Sequence, residues 1–247
     1  MNIEKITYEY YSKILGVEIN KEKTGTHFVH NPERDKTMKG YSQPIDVYVF
    51  VSDEFTIVSY GNKAKTVIEE MLNKLEAGSL DTLDLLLKNT FTRKINKSIK
   101  YIYRNKKISA LETVILKPEQ YNIFLEFFKT NNPKIQDYSW VKDYFIELSS
   151  KNYCHGIIID NKLVCATDAP NMPFMEGIVQ EIGINTIEGY RGRGYAQSVC
   201  VSLINKLLLN KICPLWSAAE SNIASDRLAK SIGFERLSEV LSFSIFD

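Results

Sequence analysis

Apolar positions recur at two spacings along the chain, and the spacing changes several times. Residues 8–15 carry helical spacing and stop at Gly16, which predicts a short helix. Residues 45–60 are rich in Val, Ile, Phe and Tyr and are broken by Ser52-Asp53-Glu54. That pattern predicts two short strands joined by a turn. Residues 63–75 and 80–87 return to helical spacing, with Gly78 between them as a stop. Residues 97–116 read as strand, polar turn (Arg104-Asn105-Lys106-Lys107) and strand. A new pattern follows, so a soft domain boundary is placed at residue 107.

Beyond that boundary the punctuation is clearer. Pro118 suits a first helical turn, and Tyr121, Phe124, Leu125 and Phe128 follow at helical spacing until Asn131-Asn132-Pro133. Residues 140–148 predict another short helix. Three strand-like runs come next, at 156–159, 163–167 and 180–186. Residues 194–209 form the strongest amphipathic pattern, with Ala196, Val199, Cys200, Leu203 and Leu207 on one stripe. Residues 213–219 read as a strand. Residues 222–231 read as a helix capped by Ser221 or Asn222 and stopped at Gly233. Residues 234–246 close with one or two strands. The order from residue 108 is β-α-α-β-β-β-α-β-α-β, an α+β or mixed α/β layer fold. A smaller α/β domain of unassigned role is expected over residues 1–107.

Composition narrows the function classes. The 247 residues are 44% hydrophobic and 25% charged, with a formal net charge of +1. These are the proportions of an ordinary globular protein, with no global field to draw it to nucleic acid or to a membrane surface. Cys154, Cys165, Cys200 and Cys213 form no C-x-x-C pair, so they read as buried thiols in a reducing compartment. Residues 1–13 lack a secretory h-region, and no apolar run approaches the roughly 20 residues of a membrane helix. A cytoplasmic protein without nucleic-acid or membrane partners is the expectation. His27 and His30 would point to opposite faces of a strand, so no metal is expected. His155 precedes a strand and reads as a solvated turn histidine.

The chemistry concentrates in one stretch. A strand containing Glu181-Ile182-Gly183-Ile184-Asn185-Thr186 feeds the loop Arg191-Gly192-Arg193-Gly194-Tyr195-Ala196, which opens a helix. The first amides of a helix lack internal partners and sit at the positive end of its dipole, so they favour an anion such as phosphate. Gly192 and Gly194 allow the backbone to approach a ligand, and Arg191 and Arg193 add charge. The loop lacks the Lys-Ser/Thr ending of a P-loop and the dinucleotide fingerprint.

Arg191-x-x-Gly194-x-Ala196 resembles the Gln/Arg-x-x-Gly-x-Gly/Ala signature of the GNAT superfamily of acyl-CoA-dependent N-acyltransferases. The resemblance extends back through residues 181–186. It also extends forward through Asn222-x-x-Ser225-x-x-Leu228-Ala229 to Gly233-Phe234, and it covers roughly residues 108–247. With Trp216 added, the set is similar to a bacterial branch that carries an extra N-terminal domain. The resemblance implies a splayed central sheet flanked by helices and acetyl-CoA as acyl donor, with no metal. It implies that the pyrophosphate lies on the amides of Arg191, Gly192, Arg193, Gly194, Tyr195 and Ala196. The pantetheine arm would run along Ile184, Asn185 and Thr186, near Asn222.

The implied reaction is attack of an amine on the thioester, with a small-molecule or peptide amine as acceptor. An alkyl amine is mostly protonated at neutral pH, so a base helps. Glu181 is the candidate base and Glu176 the reserve. Where many relatives keep a tyrosine as acid, this chain has Ala229. That gap keeps a second reading open, a non-catalytic acyl-CoA-binding sensor. The acceptor is expected to enter opposite CoA, past residues 131–139 and 168–177. Oligomeric state is left open, a homodimer included.

Overall fold

Capping sets where the first helix begins. In the computed structural model, which describes residues 1–19, 24–75, 95–104 and 110–245, helix α1 (Ile3–Leu15) starts ahead of residue 8. The cause is Asn2, whose side chain accepts from the Lys5 amide at 3.0 Å. Strands β1 (Gly25–His30), β2 (Val47–Val51) and β3 (Phe55–Tyr60) follow, then helix α2 (Asn62–Leu75). The helix expected at 80–87, the turn residues 105–107 and the boundary at 107 lie outside the described residues.

Strand β4 (Asn96–Tyr103) and strand β5 (Val114–Ile115) do not meet. Both edges of β4 are already taken, by β10 (Cys213–Ala219) and β11 (Phe234–Phe243), each antiparallel to it. Strand β5 therefore pairs with β6 (His155–Ile159) in a different sheet. Helices α3 (Tyr121–Asn131) and α4 (Val141–Ser150) lie between them in the chain. Strand β7 (Lys162–Asp168) completes a hairpin with β6. The remaining elements are β8 (Val179–Glu181), β9 (Gly183–Thr186), α5 (Tyr195–Leu209) and α6 (Ile223–Ser231).

The result is a mixed α/β fold with two sheets. Seven strands run in the order β1-β3-β2-β11-β4-β10-β8, and four run β5-β6-β7-β9. Strands β1 to β4, from the first 103 residues, thus interleave with β11 and β10 from the last thirty-five in one sheet. On one face Tyr101, Trp216 and Phe234 pack with Phe145 and Leu203. On the other, Tyr10, Tyr11 and Leu15 of α1 pack with Phe50, Ile57 and Leu215. Among the described residues no helix is long and apolar enough to cross a membrane.

The run expected as one strand at 180–186 is two strands with different partners. Glu181 still pairs with Leu215 of β10, and the Ile182 amide makes the last bond to it, 3.0 Å from the Leu215 carbonyl. From Gly183 the chain pairs instead with β7, Gly183 opposite Asp168. A Cβ on Gly183 would stand 3.0 Å from the Asp168 Cβ, so a side chain there would press on Asp168 at the crossing. Beyond Ile182 no pairing joins β9 to β10, and a cleft runs along the second edge of β9.

His155 is buried rather than solvated, 2% exposed. One ring nitrogen reaches the Asn152 carbonyl at 3.0 Å and the other meets the Ser202 hydroxyl at 2.8 Å, the pattern of a neutral imidazole. Burial lowers its pKa from 6.5 to about 4. In the unfolded chain the ring takes a proton near 6.5, while the folded protein refuses it until about pH 4. Stability should therefore fall as pH drops through that window, by about 3 kcal/mol in all. Denaturant unfolding of wild type and His155→Gln between pH 7 and pH 4 tests this. The variant should show a shallower decline, and parallel curves would contradict the assignment.

Candidate active site

The turn after β9 is built to expose its amides. Gly192 and Gly194 have φ of 76° and 78°, in the left-handed region that penalises any side chain. A Cβ at either would meet nothing within 4 Å, so the space above the loop is open. Gly194 caps α5, and the first intrahelical bond returns from the Ser198 amide to the Gly194 carbonyl at 3.1 Å. The amides of Tyr195, Ala196 and Gln197 therefore have no acceptor within the helix, and they point along its dipole.

The open edge of β9 meets this loop. The Ile187 amide bonds the Val164 carbonyl at 2.9 Å, which fixes the phase of the β7–β9 ladder. Gly183 and Asn185 turn their backbone groups to β7, and Ile184 and Thr186 turn theirs to the cleft. Arg191 Nε donates to the Thr186 carbonyl at 3.2 Å and ties loop to strand. Asn222 caps α6 by accepting from the Ser225 amide at 3.1 Å. Trp216, buried beneath α6, donates its indole N–H to the Ser225 hydroxyl at 3.1 Å.

These parts enclose one groove of about 650 Å³. Ile184, Asn185, Thr186, Arg191, Gly192, Gly194, Tyr195, Ala196 and Asn222 line it together. Arg193 does not line it. Its guanidinium lies over the Tyr190 ring at 5.3 Å and donates to the Gly189 carbonyl at 3.2 Å. The groove also takes in Tyr190, Gln197, Ala224, Ser225 and Leu228. Ser225 follows Asn222 at a spacing of three, and Leu228 follows Ser225 at the same spacing, so helical periodicity makes each a neighbour of the one before it. Ala229 is fully buried in the Trp216 core cluster and brings no polar group to the groove.

Glu181 sits apart from the loop groove, on the opposite face of the sheet. It is the last β8 residue before the strands diverge, and its carboxylate accepts a hydrogen bond from the Ser217 hydroxyl. Glu176 is exposed and committed to two lysines, Lys39 at 2.6 Å and Lys151 at 3.6 Å. The Lys39 contact holds its pKa below the ordinary carboxylate range, which suits a surface ion pair better than a base. All four cysteines are buried, and burial pushes the Cys213 thiol up to about 11. Among the described residues no cluster of three or more His, Cys, Asp or Glu is placed to hold a metal ion.

A mixed sheet that parts beside a glycine loop at a helix N-terminus defines a class, the acyltransferases with a splayed central sheet. The family model for GNAT acetyltransferases matches residues 47–241, and the chain belongs to that family. An acetyltransferase from the GNAT family of Colwellia psychrerythraea is 16% identical, with 82% of each chain covered and a TM-score of 0.55. A GCN5-related N-acetyltransferase from Sphaerobacter thermophilus is 11% identical, covering 77% of this chain and 72% of that one, with a TM-score of 0.52. At these identities the likeness is one of fold. No curated protein matches the chain.

The left-handed cap gives a test of the loop by itself. Gly194→Ala forces a side chain into that region and should cost about 1–2 kcal/mol. For a chain of this size that lowers the melting temperature by roughly 2–8 °C. Calorimetry of the free protein measures it, and an unchanged melting temperature would mean the loop does not hold this conformation.

Proposed function

We propose that this acetyltransferase moves an acetyl group from acetyl-CoA to the amine of an acceptor by direct attack on the thioester. The observation that carries the reading is the continuity of the groove, from the uncommitted amides of the glycine loop to the open edge of β9. Acetyl-CoA supplies the activated acyl group. The loop amides and Arg191 suit its pyrophosphate. The backbone groups of Ile184 suit an amide-bearing arm laid down as an added strand. Asn222 spends its side-chain oxygen on the helix cap, and its amide nitrogen makes no hydrogen bond among the described residues.

On this reading Glu181 is the base. It stands where the strands part, so a nucleophile arriving from the α1 face meets its carboxylate near the parting point. Glu181 takes a proton from the arriving ammonium and frees its lone pair; the C–N bond then forms as the C–S bond breaks, and the second nitrogen proton passes to solvent. The sulfur then leaves as a thiolate, which is tolerable for a thiol of pKa ~8.5. Buried Ala229 offers no phenol to protonate it. The same residue favours a second reading, in which the chain binds acyl-CoA as a sensor without turnover.

Two variants separate the readings. Arg191→Ala with Gly194→Glu should abolish saturable binding of acetyl-CoA in calorimetry. Glu181→Gln should keep that binding and lower the rate of thiol release by about 10²–10⁴-fold. Binding without turnover on any amine would favour the sensor. Absence of wild-type binding at millimolar acetyl-CoA would remove both readings.

A further inference from the structure

The face of the sheet opposite the groove carries polar groups that the fold leaves uncommitted. Register places Lys100 of β4 opposite Ser217 of β10, and Glu181 of β8 opposite Leu215. Cross-strand partners share a face and alternate residues return to it, so Glu181, Ser217 and Lys100 project the same way. This is the face that α1 covers. Tyr10 of α1 and Tyr48 of β2 belong to the same buried cluster as Leu215. The 168–177 connection folds over it too, and Met172 Sδ accepts from the Glu181 amide at 3.3 Å.

The Lys100 side chain makes no hydrogen bond or ion pair among the described residues. Burial lowers its pKa, and the Glu181 carboxylate works the other way. The two charges thus act on each other while standing more than 4.0 Å apart. Near the carboxylate stand the hydroxyls of Tyr10, Tyr41 and Tyr48, none of which is hydrogen-bonded among the described residues. Burial, and after it the same carboxylate, raises the pKa of Tyr10 and Tyr41; Tyr48 moves the same way, so all three remain donors.

An ammonium withdrawn from water without a partner is costly, and a methionine of similar length would be cheaper there. Retaining Lys100 makes sense if a ligand supplies its partner. An ammonium and a carboxylate held apart on one face, the carboxylate with phenolic donors near it, complement a short zwitterion. We propose that the acceptor binds on this face, and that it is a free amino acid whose amine meets Glu181 and whose carboxylate meets Lys100. The inference rests on the acetyl-transfer reading above and adds the acceptor's chemical class. A polyamine would meet repulsion from Lys100, and a peptide N-terminus lacks the adjacent carboxylate.

The test compares wild type with Lys100→Met, using the proteinogenic α-amino acids and their amides as acceptors at saturating acetyl-CoA. Wild type should acetylate at least one amino acid roughly tenfold or more faster, in kcat/KM, than its amide, because a site built for a polar group rejects the analogue that lacks it. Lys100→Met should abolish that preference through KM. It should leave acetyl-CoA affinity unchanged and should melt at or above the wild-type temperature. Equal use of acid and amide by wild type, or a preference that survives in the variant, would overturn the inference. So would acetyl-CoA binding with no turnover of, and no thermal shift from, any amino acid. Absent acetyl-CoA binding would count against the transferase reading. The thermal shift by amino acid over amide would then still decide whether this face binds one.

Discussion

The structure turns on a hydrogen-bond ladder that stops. Strands β8 and β10 are paired as far as the Ile182 amide, and one residue later the chain has changed partner from β10 to β7. An interrupted ladder inside a sheet normally leaves backbone groups unsatisfied, which is expensive. Here a groove of about 650 Å³ runs along the unpaired edge of β9, and Ile184 presents its backbone to it. Everything that positions the groove follows from this parting. Strand β9 carries the chain to the glycine loop, the loop caps α5, and β10 carries it to the cap of α6. The glycine loop lies on one face of the sheet and Glu181, beside Leu215 and α1, on the other.

Local signals in the sequence reported local structure well. The glycine loop, the cap at Asn222 and the strand at 213–219 are each set by residues next to one another, and those residues name them. The loop-side residues converge because strand, loop and helix are consecutive. Periodicity could not show that the run at 180–186 divides, since both halves keep strand spacing and differ only in partner. Nor could it show that β4 lies between β10 and β11, because register between distant strands leaves no mark on either one. His155 was misplaced for a related reason. Its burial comes from Ser202 on α5, a contact of long sequence separation.

The Glu181 face was the least legible part. Lys100, Ser217 and the tyrosines come from β4, β10, α1, β2 and the loop before it, so no motif spans them. Lys100 looks like any exposed strand lysine until β4 is placed beside β10. Only then does it become a charge without a partner facing a carboxylate, and a stability cost that function would have to offset.

Hydrogen exchange with and without coenzyme A tests the central claim, that the parted strands and the glycine loop hold the acyl donor. In the free protein the Ile184 amide faces the cleft and should exchange readily, while that of Asn185, bonded to β7, should not. Added coenzyme A should slow exchange at Ile184 and across residues 191–197 by roughly tenfold or more and leave the β6–β7 hairpin unchanged. Protection confined to other segments, or none at all, would contradict the account.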